Sequence, residues 1–202
     1  MASGSTVIEE LRLQPHLIPA MEEAIGRHHP GTAEHSIRVS RIARLIGARL
    51  GLAGDNLEAL SWAGILHDIG KLAVCEATLI KPGPLTALEW VEVKRHPKIG
   101  SDLLELLSTG LDPIAAGIRA HHERWDGSGY PDGLVGADIP LFGRILAVAD
   151  VYDSVRHHRS YRTQAFSRHE ASALLEEGEG THFDPAVLDT FLSLRAQGHI
   201  DG

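Results

Sequence analysis

Apolar residues recur at every third or fourth position through most of the chain, which is the spacing of amphipathic helices. This periodicity predicts helices at about 6–25, 33–50, 56–70, 87–95, 98–108, 113–123, 141–156, 168–177 and 185–196. No segment shows the sustained alternation with β-branched residues that is typical of a strand. The pattern therefore predicts an all-α fold, a single-domain helical bundle.

Polar residues at the predicted helix starts agree with this assignment. An acceptor side chain followed three residues later by glutamate forms a capping box, which satisfies free amides of the first turn. The sequence predicts such boxes at Asp55 with Glu58, Thr86 with Glu89, and Ser167 with Glu170. An aspartate before a proline is typical of an N-cap, and it occurs at Asp112-Pro113 and Asp184-Pro185.

The main irregular stretch runs from residue 124 to residue 140 and is rich in glycine and proline. Ordinary loops are shorter than this, and long loops in compact domains are often functional. The sequence contains no internal repeat or obvious domain linker. We therefore predict a leading helix or linker remnant over residues 1–30, followed by one domain over residues 31–202.

Composition argues against several classes of function. The chain has 19 basic and 27 acidic residues and a net charge of −8, so no broad basic face for DNA is expected. Its single cysteine, Cys75, excludes an intrachain disulfide and a thiolate-rich metal site. No apolar run approaches the roughly 20 residues of a membrane span. Residues 1–10 also lack the basic segment followed by an apolar segment that is typical of a secretory signal. These features predict a cytoplasmic protein that does not act at a membrane.

The sequence contains 13 histidines, and several fall with aspartates on the inward faces of predicted helices. An unpaired buried carboxylate is costly, and a lone inward histidine is more often a hydrogen-bonded core residue than a ligand. Six such groups together favour shared cations, and imidazoles with carboxylates suit iron, manganese, zinc or nickel better than calcium. They exceed the needs of one tetrahedral ion, which indicates a two-metal centre for phosphoester hydrolysis. The six are His35, His67, Asp68, His121, His122 and Asp150.

Short motifs around these residues resemble a known family. The run from His67 to Lys71 resembles the HD superfamily of metal-dependent phosphohydrolases, and Gly129-Tyr130-Pro131 narrows the match to its HD-GYP family. The ordered set continues with the segments 121–127, 144–153, 159–162 and 180–185. The resemblance covers roughly residues 35–194, and it implies that residues 31–202 form an HD-GYP catalytic domain of the all-helical HD type.

The matching positions imply functions for individual residues. The implied metal ligands are His35, His67, Asp68, His96, His121, His122 and Asp150. Asp68 is the expected bridge between ions because a carboxylate offers two oxygens, whereas Asp153 is a weaker candidate that could only support the ligands. Catalytic roles are implied for His67, Asp68 and Lys71, and substrate contacts for Lys71, Tyr130, Arg159 and Arg162. Tyr130 could contact the substrate or simply brace its loop.

One departure from the family concerns the number of metals. Members with three ions carry a glutamate four residues before the first histidine, where this chain has Gly31. Glu34 is present, but on a helix it points about 100° away from His35 and is a poor substitute. We therefore expect two divalent ions, iron or manganese.

The function implied by the resemblance is hydrolysis of cyclic di-GMP to linear pGpG by a hydroxide that bridges two metals. Onward cleavage to GMP is expected to be slow or lost, because the glutamate for a third metal is absent. A rival is an HD-type phosphohydrolase that acts on another nucleotide or on cyclic GMP-AMP. A rival of another class is a non-catalytic module that senses cyclic di-GMP or binds signalling proteins. An active enzyme could also bind signalling proteins as partners.

Overall fold

The computed structural model describes residues 32–107, 111–157 and 165–200, with residues 20, 21, 23, 24 and 27 ahead of them. Two 3₁₀ helices cover Ile69–Ala73 and Gly136–Asp138. Within the described residues there is no strand, and only an isolated bridge joins Glu179 to Phe183. The all-α prediction is confirmed, while the predicted helix at 6–25 lies almost entirely outside the described residues. The α-helices are, in chain order, α1 (Thr32–Arg49), α2 (Gly54–Leu66), α3 (Glu76–Leu79), α4 (Ala87–Val93), α5 (His96–Leu107), α6 (Asp112–Ala120), α7 (Leu141–Arg156), α8 (Arg168–Glu177) and α9 (Pro185–Ala196).

Three of the predicted helix caps are confirmed. Thr86 and Ser167 each accept a hydrogen bond from the amide of the glutamate three residues later, and both capping boxes form. Asp184 caps α9 by accepting a hydrogen bond from the amide of Ala186 at 2.8 Å. These caps depend on contacts within one turn, so the local sequence is sufficient to predict them.

Two other predicted caps are wrong. The N-cap of α2 is Ala53 and the N-cap of α6 is Leu111, and neither makes a side-chain cap hydrogen bond. Asp55 and Asp112 lie instead inside the first turn of their helices. A carboxylate in the first turn still interacts favourably with the positive end of the helix, which explains aspartate at both positions.

The structure corrects the predicted helix at 56–70, because α2 ends at Leu66 and a 3₁₀ helix follows. Close packing explains the change. A Cβ on Gly70 would overlap the carbonyl oxygen of His96 and lie 2.7 Å from the amide nitrogen of Gly100. Only glycine allows the backbone after α2 to meet the backbone of α5 so closely. The contact brings Oδ1 of Asp68 within 3.3 Å of Nε2 of His96.

Helix α7 lies at the centre of the bundle. It packs against α1, α2, α6, α8 and α9, and the residues from Ile145 to Ala149 are all buried. In the described part of the chain, neither α7 nor any other helix combines the length and apolarity needed to cross a bilayer. A helix surrounded in this way has little solvent-facing surface, so its polar side chains need partners inside the protein. This requirement applies to Asp150 and Asp153.

Candidate metal centre

The side chains that the sequence selects as metal ligands meet inside the bundle. They come from α1, from the turns that follow α2 and α6, from the start of α5, and from α7. The ring centroids of four neighbouring histidine pairs lie 5.1–5.2 Å apart. The structure thus brings together all seven positions: His35, His67, Asp68, His96, His121, His122 and Asp150.

The ligand atoms form two groups, with Asp68 between them. Within each group the candidate ligand atoms lie within 4.8 Å of one another. Oδ2 of Asp68 lies 3.3 Å from Nε2 of His67, and its Oδ1 lies 3.3 Å from Nε2 of His96. A third set meets the same distance, and it consists of Asp68 with one histidine from each group. Asp68 is therefore in the position of a bridging carboxylate between the two groups. One group is His35, His67 and Asp150, and the other is His96, His121 and His122.

Three of the histidines are oriented by helix ends. The last carbonyl groups of a helix have no partner within it. The Nδ1 atoms of His67, His96 and His121 lie 2.8, 2.7 and 2.6 Å from the carbonyl oxygen three residues earlier. A carbonyl oxygen only accepts hydrogen bonds, so we assign the proton to Nδ1. Each ring therefore presents the lone pair of Nε2 to the centre of the cluster.

His35 is oriented by a carboxylate. Its Nδ1 donates to Oδ2 of Asp153 at 2.7 Å, and both side chains are only 2% exposed. Asp153 also accepts hydrogen bonds from Nε and Nη2 of Arg38, at 2.6 and 3.0 Å. A carboxylate behind a histidine is the arrangement that fixes the orientation of metal-binding imidazoles. Asp153 thus supports His35 from behind.

Burial and neighbouring charges set the protonation of the cluster. Burial alone would raise the pKa values of Asp68 and Asp150, but adjacent cationic and imidazole groups hold both well below the usual range. Burial lowers the pKa of His121 well below its usual value and that of His122 to about 3, and neighbouring histidines add to both effects. Burial also acts on His67, but Asp68 and Asp150 outweigh it and raise its pKa. Ionised carboxylates and neutral imidazoles are the forms that bind metals.

Two nitrogen atoms in the cluster indicate that cations belong there. Nε2 of His35 and Nε2 of His67 are buried and make no hydrogen bond within the described residues. Oδ1 of Asp150 lies 3.1 Å from Nε2 of His35, but the direction does not satisfy a hydrogen bond. Such geometry is expected when two ligands point at a common centre instead of at each other. A donor set of imidazoles and carboxylates without thiolates fits divalent iron, manganese or zinc.

Lys71 reaches the cluster, where its ammonium is paired with a candidate ligand. Its Nζ lies 2.5 Å from Oδ2 of Asp68. The lysine follows Asp68 by three residues, and the 3₁₀ helix between them directs its half-buried side chain back towards the cluster. The ammonium therefore lies beside the shared carboxylate.

The glycine-rich loop after α6 is held by one buried carboxylate. Glu123, only 2% exposed, accepts hydrogen bonds from the amides of Asp132, Gly133 and Leu134 at 2.7–3.1 Å. Gly129 packs against the same segment, where a Cβ would lie 2.5 Å from the Cα of Glu123. The loop is thereby folded back onto the end of α6.

Tyr130 is placed at the edge of the cluster by this loop. Its ring stacks on that of His122, with centroids 4.9 Å apart and an interplanar angle of 30°. Its amide donates to the carbonyl oxygen of His122 at 3.2 Å. Burial raises the pKa of the Tyr130 hydroxyl above its usual value, so this group is protonated at neutral pH. Tyr130 thus braces the loop against one of the candidate ligands.

The remaining predicted positions lie outside the cluster or outside the described residues. Arg159, Arg162 and Gly31 belong to the segments that the structure does not describe. The side chain of Glu34 is 84% exposed and lies 3.8 Å from Arg38 on the surface of α1. Glu34 therefore does not reach the cluster, as the helical geometry of the sequence predicts.

Sequence reasoning missed two residues that organise the site. Arg38 lies one turn beyond His35 and connects α1 to Asp153 of α7. Glu123 directly follows the two histidines at the end of α6 and holds the loop. Each had a usable signal, since Arg38 shares a helical face with His35 and a loop rich in unpaired amides needs an acceptor. Neither signal identifies the partner.

Comparison with known proteins shows where this arrangement occurs. A family model described as HD domain matches residues 19–187. The chain is 43% identical over 198 residues to the cyclic di-GMP phosphodiesterase response regulator RpfG of Xanthomonas campestris, covering 98% of this chain and 51% of that protein. It is 35% identical over 188 residues to 3'3'-cGAMP-specific phosphodiesterase 2 of Vibrio cholerae, covering 89% of this chain and 36% of that protein. The chain thus spans about half the length of these relatives or less.

Solved structures share the helical fold. A cyclic GMP-AMP specific phosphodiesterase of V. cholerae (V-cGAP3) matches with a TM-score of 0.66 and 23% identity, covering 91% of this chain and 49% of that one. The HD domain of the L. monocytogenes phosphodiesterase PgpH in complex with cyclic-di-AMP matches with a TM-score of 0.59 and 17% identity, covering 91% and 98%. At these identities the likeness shows the fold alone, a single all-α domain.

Proposed function

The chain belongs to the HD domain family and has the motifs of its HD-GYP branch, and from this premise we propose that it hydrolyses cyclic di-GMP to linear pGpG. The observation that carries the proposal is the convergence of seven imidazole and carboxylate groups into two sets of three with Asp68 between them. Two cations held close together suit in-line displacement at phosphorus. Relatives named for hydrolysis of cyclic dinucleotides support the substrate class.

The cofactor of the proposed reaction is a pair of divalent ions, iron or manganese. When bound, they would lower the pKa of water and polarise the phosphoryl group. The set of His35, His67 and Asp150 would hold the first ion. The set of His96, His121 and His122 would hold the second. Asp68 would serve both. The chain itself supplies preorganised positions, because helix-end carbonyls fix three of the rings and all three of these side chains are buried.

Four side chains are proposed to contact the substrate. Lys71 would bring positive charge to the phosphoryl oxygens from its position beside Asp68, and would help the ribose oxygen to leave. Tyr130 would line the edge of the site next to His122. Arg159 and Arg162 match family positions that hold the second phosphate, a task suited to the planar guanidinium group.

The proposed product is pGpG, with cleavage to GMP slow or lost. Gly31 stands where members of the family with three metals have a glutamate, and Glu34 is directed away from the cluster. The proposed location is the cytoplasm, where the exposed free thiol of Cys75 would remain reduced. Signalling proteins remain proposed partners of the enzyme.

A second substrate has specific support. Two relatives at 35% and 38% identity are named as 3'3'-cGAMP-specific phosphodiesterases. Metal-free protein should therefore be loaded separately with ferrous iron and manganese and supplied with cyclic di-GMP or with 3'3'-cGAMP. Chromatography of the products, together with a metal count per chain, tests the proposal. We expect pGpG as the product of cyclic di-GMP and two metal ions per chain.

Variants distinguish the enzyme from a non-catalytic module. His67→Ala and Asp68→Ala should abolish turnover, whereas Asp102→Asn, in an exposed pair with Lys98, should not change it. Turnover that survives loss of Asp68 would show that this cluster is not the catalyst. Three ordered ions per chain, or rapid stoichiometric GMP, would contradict the two-metal proposal.

A further inference from the structure

The four lysines of the chain all lie between residues 71 and 98, and they differ in their partners. Three form short ion pairs: Lys71 with Asp68 at 2.5 Å, Lys81 with Glu89 at 2.7 Å, and Lys98 with Asp102 at 2.6 Å. Lys94 has no carboxylate within ion-pair distance among the described residues. Its Nζ lies instead 5.4 Å from the centroid of the Tyr130 ring.

The ring beneath Lys94 is itself part of the metal centre's edge. Tyr130 stacks on His122 at 4.9 Å and donates its amide to the carbonyl of that residue. Lys94 is also tied to the cluster along the chain, because it ends α4 two residues before His96. Two independent connections, one through the loop and one through the backbone, therefore place an exposed cation at the rim of the site.

The position of this rim is fixed and does not depend on Lys94. Glu123 holds the loop through three backbone amides, and Gly129 packs against the end of α6. Because the ring of Tyr130 is already supported on His122, the ammonium of Lys94 is not needed to place it. Lys94 retains donors that can bind a ligand.

Building on the proposed function, we propose that Lys94 binds a phosphate oxygen of the cyclic dinucleotide, at the phosphate that is not being cleaved. A substrate with two phosphates and one of them at the metals must place its other anionic group towards the rim. In a chain of net charge −8 a further local cation, in addition to the two arginines proposed above, favours binding of that group. An ammonium is a compact charge with three donors and suits a phosphate whose orientation is set elsewhere. Lys94 would therefore favour dinucleotides over diesters with a single phosphate.

The test compares two substrates in the metal-loaded enzyme. Lys94→Met keeps an unbranched side chain of nearly the same length but removes the charge over the Tyr130 ring. For cyclic di-GMP we expect KM to rise by about tenfold or more, with kcat changed less than about twofold. Hydrolysis of bis(4-nitrophenyl) phosphate, which has one phosphate, should be unchanged. Lys94→Arg should restore most of the affinity, and Lys98→Met is the matched control because it also removes one exposed lysine charge.

Binding without turnover separates this inference from the proposed function. Equilibrium dialysis of the metal-loaded protein with a bisphosphorothioate analogue of cyclic di-GMP should give a Kd about tenfold higher for Lys94→Met. Equal KM and Kd in wild type and variant, or equal losses with both substrates, would overturn the role of Lys94. If wild type binds the analogue but cleaves no cyclic dinucleotide, the proposed function fails and the Kd values still decide for or against Lys94. If wild type neither binds nor cleaves, both proposals are wrong.

Discussion

Replacing Asp153 by asparagine would keep the shape of a buried side chain and remove its negative charge. The carboxylate accepts from Nδ1 of His35 at 2.7 Å and from Nε and Nη2 of Arg38 at 2.6 and 3.0 Å. Burial alone would raise its pKa, but His35 and Arg38 outweigh that effect and lower it, so the group is ionised at neutral pH. Asparagine has one acceptor oxygen and an NH₂ group, so one of these donors would face another donor.

Removal of this charged acceptor should cause two losses, one of stability and one of metal affinity. A buried hydrogen bond to a charged group contributes about 1.5–3 kcal/mol, and metal-free Asp153→Asn should lose about this much of its free energy of unfolding. Loss of a carboxylate behind a metal-binding histidine typically weakens metal affinity by about 10–100-fold. That factor corresponds to about 1.4–2.8 kcal/mol of binding free energy. The ion held by the group that contains His35 should be the one affected.

Competition between the metal-free protein and a chromophoric chelator measures the affinity for each ion, and guanidinium unfolding measures stability. Asp102→Asn is the control, since Asp102 is an exposed carboxylate paired with Lys98. We expect two ions per chain in the Asp153 variant, one of them bound more weakly. Unchanged affinity for both ions would refute the supporting role. Complete loss of one ion would show that Asp153 is itself a ligand.

Three further predictions concern the loop, the close packing of the backbone, and pH. Glu123→Gln should leave the metal count at its wild-type value but lower kcat/KM by about tenfold, because three loop amides lose a charged acceptor; unchanged kinetics would contradict this. Gly70→Ala should lower the free energy of unfolding by about 2 kcal/mol or more, because its Cβ would overlap neighbouring backbone; denaturant unfolding with an intact midpoint would show that the backbone can move apart. The pKa values of His121 and His122 are lowered in the folded protein, the latter to about 3. As the pH falls, the unfolded chain therefore takes up protons at these histidines before the folded protein does. The stability of the metal-free protein should therefore be complete above about pH 6.5 and fall towards pH 3, offset in part by the raised pKa of His67; a guanidinium midpoint that rises on acidification from pH 7 to pH 5 would contradict the sign.

Helix ends show the difference between what local sequence predicts and what it misses. Thr86 and Ser167 cap their helices as predicted, because donor and acceptor lie within the same four residues. The predicted end of α2, at residue 70, was wrong because apolar periodicity continues through the segment after Leu66. There the contact of Gly70 with α5, a segment some 30 positions away in sequence, decides the backbone. Periodicity carries no information about such a contact.

The sequence by itself determined that the chain is helical and which imidazoles and carboxylates face inward, because hydrophobic spacing and capping act over a few residues. Motif resemblance added His96, which periodicity did not select. Only the tertiary structure decided how these groups pair: Asp68 between two sets of histidines, Asp153 and Arg38 behind His35. The physical reason is that the orientation of a buried polar group depends on which donors and acceptors other helices bring to it. Those partners lie far away in the sequence, and packing alone brings them within hydrogen-bond distance.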